Sequence, residues 1–236
     1  LRQLVRGALM KVYIVTDLVE GQDLSQVAKA GLAWEEAARV VAELAEAVAA
    51  VHALGILHRD LKPANAILRP DGRVVLLDFG LARELDAATL TQSGAVLGTP
   101  GYMPPEQARG AGLAPVGAPA DIYGLGAVLY ALLARRPPFS GTLLQVLAAV
   151  VDQPPDLEPL RAAGAPPALV ELVRECLAKD PAARPASASG LAHRLRALRE
   201  EPRSARKRGP IAALMGATLL LGVGAAALSL RGTRAA

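Results

Sequence analysis

The chain has 236 residues and a net charge of +4, from 26 Lys and Arg against 22 Asp and Glu. An apolar content of 52% excludes a chain too polar to bury a core. The single cysteine, Cys176, excludes an intrachain disulfide framework and suits a reducing compartment, and no Cys/His cluster has zinc-ligand spacing.

In chain order, "KVYIVTDLV" (residues 11–19) is rich in β-branched residues and predicts a strand. Residues 34–55 carry apolar residues at helical spacing, Glu early and Gly55 placed to stop the turn, which predicts a helix. "ILHRDLKPANAIL" (residues 56–68) has neither period and predicts a loop flanked by core residues. After a turn at "RPDGR", "RVVLLDFG" predicts a buried strand. "ADIYGLGAVLYALLARRPPF" predicts an apolar helix closed by Pro137 and Pro138, and "ALVELVRECLAKDP" and "SASGLAHRLRALREE" predict two amphipathic helices. The pattern is a short β region followed by a helical body, with no internal repeat.

A basic run follows, with six Arg and one Lys against two Glu between Arg194 and Arg208. Such a run is ordinarily a solvated face. Here it precedes "GPIAALMGATLLLGVGAAALSL", 22 positions without a charge (residues 209–230). As a helix, its last 20 residues would extend about 30 Å, the thickness of a bilayer core. The segment is apolar all round, so it is read as a membrane span rather than a core helix. Arg203, Arg206, Lys207 and Arg208 lie before it and only Arg231 and Arg234 after it. The heavier basic side faces the cytoplasm, so residues 1–208 are expected inside and the tail outside.

The loop raises a chemical question, because His58, Arg59, Asp60, Lys62 and Asn65 crowd into eight residues beside a core. A salt-bridged surface turn would explain the charges alone. It would not explain the second motif, Asp78–Phe79–Gly80, on the far side of the "RPDGR" turn, or "GTPGYMPPE" further on. Phosphoryl transfer is mostly positioning and charge neutralisation. Asp60 can orient a hydroxyl as a base, and Lys62 can supply a cation to the transferred phosphate. Asn65 and Asp78 offer oxygens from two segments, the ligand type that Mg²⁺ prefers.

HRDxKxxN followed by DFG and then "GTPGYMPPE" resembles the catalytic core of protein kinases, over landmarks from about Val12 to Arg184. Lys62 and Thr99 resemble the serine/threonine class. "TLTQSGAVLGTPGYMPPEQ" is similar to bacterial transmembrane kinases of the Hanks type. The resemblance implies a kinase-like α+β fold, mainly the helical large lobe, with one C-terminal transmembrane helix. It implies that ATP and Mg²⁺ are the cofactors, with Asp60, Lys62 and Asn65 catalytic and Asn65 and Asp78 on the metal. Thr16 matches the gatekeeper of the adenine pocket, Asp17 to Val19 the hinge, and Asp23 the residue near the ribose. His58 and Phe79 match packing residues. Glu106 matches a carboxylate whose partner is Arg184, and Asp121 one that holds the catalytic loop's backbone. Thr99 matches a docking residue that bonds Asp60 and Lys62. Thr91 and Ser93, ahead of Thr89, match regulatory phosphosites in an activation loop over residues 81–105, whose phosphates would pair with Arg59.

The implied activity is transfer of the ATP γ-phosphate to protein Ser and Thr in bacterial signalling. Protein substrates, the membrane and self-association for autophosphorylation are the expected partners, and no nucleic acid is. The expected location is the inner membrane, single-pass, with the kinase part cytoplasmic. Residues 1–24 would be a remnant of small lobe and hinge, 25–200 the large lobe, 201–209 a basic linker, 210–230 the span and 231–236 an external tail.

Departures from the family pattern are Ala66 for a branched apolar residue, Pro104 for an Ala and Gly124 for a Ser. The stretch "ARGAGLAPVGAPA" is longer than the pattern expects. The front end departs most. Before Asp17 there is no acidic residue, Lys11 lies beside the hinge strand and Gly7 stands alone. The Gly-rich loop, the strand Lys and its Glu partner are therefore missing, and the sequence reads as a fragment. The alternative is an inactive, membrane-tethered scaffold of pseudokinase type.

Overall fold

Helical spacing of apolar residues builds the frame. A computed structural model of the chain describes residues 17–78, 100–110 and 116–200. The longest described helix, α2 (Trp34–Ala53), buries Trp34, Ala37, Ala38, Val41, Leu44, Ala45 and Val48, a three-and-four spacing that gives one apolar face. It follows α1 (Leu24–Ala30), whose first turn Asp23 caps by accepting from Ser25 N (2.7 Å) and Gln26 N (3.1 Å).

Next come α3 (Pro105–Ala108) and α4 (Ala118–Ala134). Every residue of α4 from Ala120 to Leu133 is buried, as expected of a helix apolar all round. Helices α1, α2, α6 (Glu158–Ala162) and α7 (Pro167–Cys176) pack around it. The remaining described helices are α5 (Leu143–Asp152) and α8 (Ala188–Glu200). Gly126 of α4 lies against Cys176, whose thiol burial pushes up to about 12. The chain divides into two units, residues 1–196 and 197–236, and only the end of α8 represents the second among the described residues.

Three short antiparallel strands form one sheet in the order β1 (Gln22–Asp23), β2 (Ala66–Leu68), β3 (Val74–Leu76). Ala66 pairs with Leu76 and Leu68 with Val74, while Gln22 pairs with Leu68. The β2–β3 turn is closed by Arg69 N to Arg73 O (2.9 Å), with Gly72 at φ +83°. The hairpin thus brings the segment before β2 and the segment after β3 to one end of the sheet.

Several expectations need correction. Strand β3 is shorter than predicted and half-buried, packed against α2 and paired with β2. Helix α4 stops at Arg135, left-handed at φ +59°, before Pro137 and Pro138 are reached. Helices α1, α3, α5 and α6 were not predicted. Most of the predicted strand 11–19, the residues Thr16 and Phe79, the phosphosites Thr91 and Ser93, Thr99, the linker and the span 210–230 lie outside the described residues. Among the described residues, no helix is long and apolar enough to cross a membrane.

Candidate active site

The loop 58–65 is held by its backbone. Asp121, in the first turn of α4 and 1% exposed, accepts from His58 N (2.9 Å) and Arg59 N (2.7 Å). His52, at the end of α2, donates Nε2–H to the same carboxylate at 2.7 Å. One buried anion thereby satisfies three donors, and charge-assisted bonds of this kind are the strong ones. They offset a local cost, because Arg59 sits at φ +66°, which costs a non-glycine residue about 1–3 kcal/mol.

His58 is also buried and does more than pack. Its Nδ1 accepts from Asp60 N at 3.3 Å, which leaves the proton on Nε2, and that nitrogen donates to Leu77 O at 2.9 Å. The loop is therefore tied directly to the segment that carries Asp78. Leu61 follows, buried against α4 where Gly124 has no side chain. A Cβ at 124 would lie 2.6 Å from Leu61 Cβ. The glycine in place of the family's Ser is thus explained by close approach of the loop.

Asp60, Lys62 and Asn65 converge. Lys62 Nζ donates to Asp60 Oδ2 at 2.7 Å, and Asn65 Nδ2 donates to Asp60 O at 2.8 Å and Oδ2 at 3.1 Å. The Asp60 and Lys62 side chains remain 35% and 21% exposed, so the pair is open to a ligand. With Asn65 Nδ2 turned to Asp60, its Oδ1 is left to accept or ligate. Leu77 N donates to Asn65 O at 2.8 Å, which sets Asp78 beside Asn65 at the hairpin's end. Asp78 is exposed at φ +50°, a second strained residue at the site. An amide oxygen and a carboxylate carried on these two bonded segments are the hard oxygen donors that suit Mg²⁺, which usually takes one or two carboxylates plus phosphates.

Asp17 and Val19 precede β1 in irregular backbone, Asp17 exposed and Val19 half-buried. Asp23 uses Oδ1 to cap α1, a role the sequence reading did not foresee, and pairs through β1 with Ile67.

A second carboxylate–cation pair lies behind the site. Arg184 Nη1 and Nη2 bond Glu106 Oε1 and Oε2 at 2.7 and 2.8 Å, two parallel bonds, with side-chain exposures of 0% and 4%. Arg184 also donates to Pro119 O (2.8 Å) and Ala178 O (2.9 Å) and lies over the Tyr123 ring. Burial pushes the Tyr123 hydroxyl well above the ordinary phenol range. The pair fastens α3 to the body, as its resemblance implied. The sequence reading missed His52 and Gln107, whose Nε2 donates to Arg59 O at 3.0 Å. A histidine on a helix end and a glutamine after Glu106 carry no spacing signal of their own.

A family profile described as the protein kinase domain matches residues 7–195. The serine/threonine-protein kinase PkaA of Streptomyces coelicolor is 41% identical over 202 residues, covering 83% of this chain and 35% of that protein. The serine/threonine-protein kinase PknA of Mycobacterium tuberculosis is 36% identical over 199 residues, covering 83% and 44%. The probable serine/threonine-protein kinase PkwA of Thermomonospora curvata is 42% identical over 154 residues, covering 65% and 20%. The chain thus spans less than half the length of these curated relatives.

Proposed function

The chain belongs to the protein kinase family, and from that premise we propose that its protein transfers the ATP γ-phosphate to Ser and Thr of protein substrates in a bacterial signalling system. The convergence of Asp60, Lys62 and the buried Asn65 within hydrogen-bond distance, with the Asp60–Lys62 pair partly open to solvent, carries this reading.

Asp60 accepts the substrate hydroxyl's hydrogen bond and receives its proton as the oxygen attacks. Lys62, already at Asp60 Oδ2, places an ammonium where negative charge gathers on the transferred group. Asn65 fixes the same carboxylate oxygen, Asp60 Oδ2, through Nδ2. Asn65 Oδ1 and the Asp78 carboxylate would hold Mg²⁺, which when bound to ATP neutralises its phosphates. By the resemblance, Asp17 to Val19 would offer backbone groups to adenine, Thr16 would be the gatekeeper and Asp23 the residue near the ribose. By the resemblance, Thr99 would be the docking residue, and phosphates on Thr91 and Ser93 would supply charge for Arg59 to pair with.

The uncharged run 209–230 anchors the protein in the inner membrane in a single pass, with the kinase part cytoplasmic, and self-association there permits autophosphorylation. The test is the product of the complete gene incubated with Mg·[γ-³²P]ATP and a general protein acceptor. Label on Ser and Thr is expected. A product that neither binds Mg·ATP nor labels protein would overturn the enzymatic reading and favour a scaffold.

A further inference from the structure

The peptide unit joining Arg59 to Asp60 is gripped at both of its polar ends. Its N–H, that of Asp60, donates to His58 Nδ1 at 3.3 Å. Its C=O, that of Arg59, accepts from Gln107 Nε2 at 3.0 Å. The acceptor is a carbonyl, so the amide must present its nitrogen there. The preceding unit is fixed by Asp121 through Arg59 N. Arg59 is left-handed at φ +66°, strain that the Asp121 bond holds in place, while the 59–60 plane is held by its own two bonds. Rotating that plane changes ψ of Arg59 and φ of Asp60, and so swings the Asp60 carboxylate away from Lys62 and Asn65. The His58 bond is long and alone would hold the plane weakly. The Gln107 bond is the shorter one.

Gln107 is itself well anchored. It is half-buried in α3, adjacent to Glu106, whose buried bonds to Arg184 fix that turn to the body. The amide is therefore an arm reaching from a fixed point to the catalytic loop. It spans 48 positions of sequence. We propose that Gln107 is a positioning residue for phosphoryl transfer, holding the Arg59–Asp60 peptide so that the Asp60 carboxylate keeps its transfer geometry. The proposal rests on the kinase reading for its consequence in rate and on geometry alone for its consequence in the backbone.

Two substitutions test it. Gln107→Met keeps the length and removes the donor, and Gln107→Glu keeps the shape and sets an acceptor against the carbonyl. Should one fail to fold, the other carries the test. Amide hydrogen exchange is read at Asp60 and, as a control, at Ala45 and Val48 in the middle of α2. Single-turnover transfer and the ATP KM are read on the complete gene product. The expected result is exchange at Asp60 faster by about tenfold with the α2 amides unchanged. With it, the transfer rate falls by about tenfold to a hundredfold at an ATP KM within about twofold of wild type. Unchanged exchange at Asp60, or exchange rising equally in α2, overturns the proposal, as does faster exchange with an unaltered transfer rate. If the wild-type protein transfers no phosphate, the kinase reading fails, and the exchange result alone decides whether Gln107 holds the peptide.

Discussion

Two carboxylate–cation pairs, one closed by a guanidinium and one by an ammonium, behave as opposites in this molecule. Glu106–Arg184 is sealed, with two parallel bonds and further bonds from the guanidinium to backbone carbonyls. Asp60–Lys62 is partly open and joined by one bond of 2.7 Å, with Asn65 sharing the carboxylate. A sealed pair has spent its bonding capacity on the fold, and breaking it leaves a buried charge unmatched. An open pair keeps capacity for a ligand and adds little stability, since exposed pairs contribute about 0–1 kcal/mol. Burial thus separates the pair that fastens the fold from the pair proposed for phosphoryl transfer.

The largest break in that comparison is Glu106→Gln. It should cost about 3–5 kcal/mol, because Arg184 keeps its buried charge. For a domain of this size the melting temperature should fall by roughly 6–20 °C. A melt within about 2 °C of wild type would show that the pair does not fasten α3.

Asp121→Asn should lie between the two extremes. Asp121 is as buried as the sealed pair, yet its bonds serve the open one. Asparagine keeps one acceptor and turns an NH₂ toward donors, so stability should fall by about 1–3 kcal/mol and transfer should fall with it. Transfer lost with no stability change, or the reverse, would separate roles that the geometry joins. Asp78→Ala should leave the melt unchanged and weaken Mg·ATP binding by about tenfold, measured by titration calorimetry. Equal affinity would remove Asp78 from the metal.

The smallest effect concerns Lys179, a cation that is neither sealed nor open. Its Nζ donates to Ala149 O (3.3 Å) and Val150 O (2.5 Å) at the end of α5 and lies 4.4 Å from the Phe139 ring centroid. Burial pushes its pKa from 10.5 down to about 8, against the opposing pull of Asp152 and with Arg184 and Arg109 adding to the fall. Between pH 8 and 10.5 the unfolded chain holds this proton and the folded chain does not, so stability contributed by this group rises with pH. Wild type should therefore gain on Lys179→Met as pH moves from 8 toward 10, read by chemical denaturation. Parallel curves would contradict the assignment.

What the sequence made legible follows the same division. Asp60, Lys62 and Asn65 lie within six residues of one another, so local spacing alone brought them together. Glu106–Arg184 and Asp121 became legible only through family resemblance, since 78 and 62 positions separate Glu106 from Arg184 and Asp121 from Arg59. The Gln107 contact had no such signal. Among the unpredicted helices, α5 did carry one. Thr142 and Gln145 form a reciprocal cap, with Gln145 Oε1 accepting from Thr142 N at 2.9 Å, a T-x-x-Q pattern before an apolar run. Helix α6 has five residues, too few for a period to show. The stop of α4 was misplaced because a left-handed Arg135 leaves no mark in composition, whereas two prolines nearby do.

The most direct test of the central claim pairs single-turnover transfer with thermal melting on one variant of the complete gene product, Asp60→Asn. Asparagine keeps the shape at 60 and removes the charge and the basic oxygen. The account predicts transfer lower by about 10²–10⁴-fold and a melting temperature within about 2 °C of wild type, since the open pair holds little of the fold. Transfer near the wild-type rate, or a melt lowered as far as that of Glu106→Gln, would contradict it.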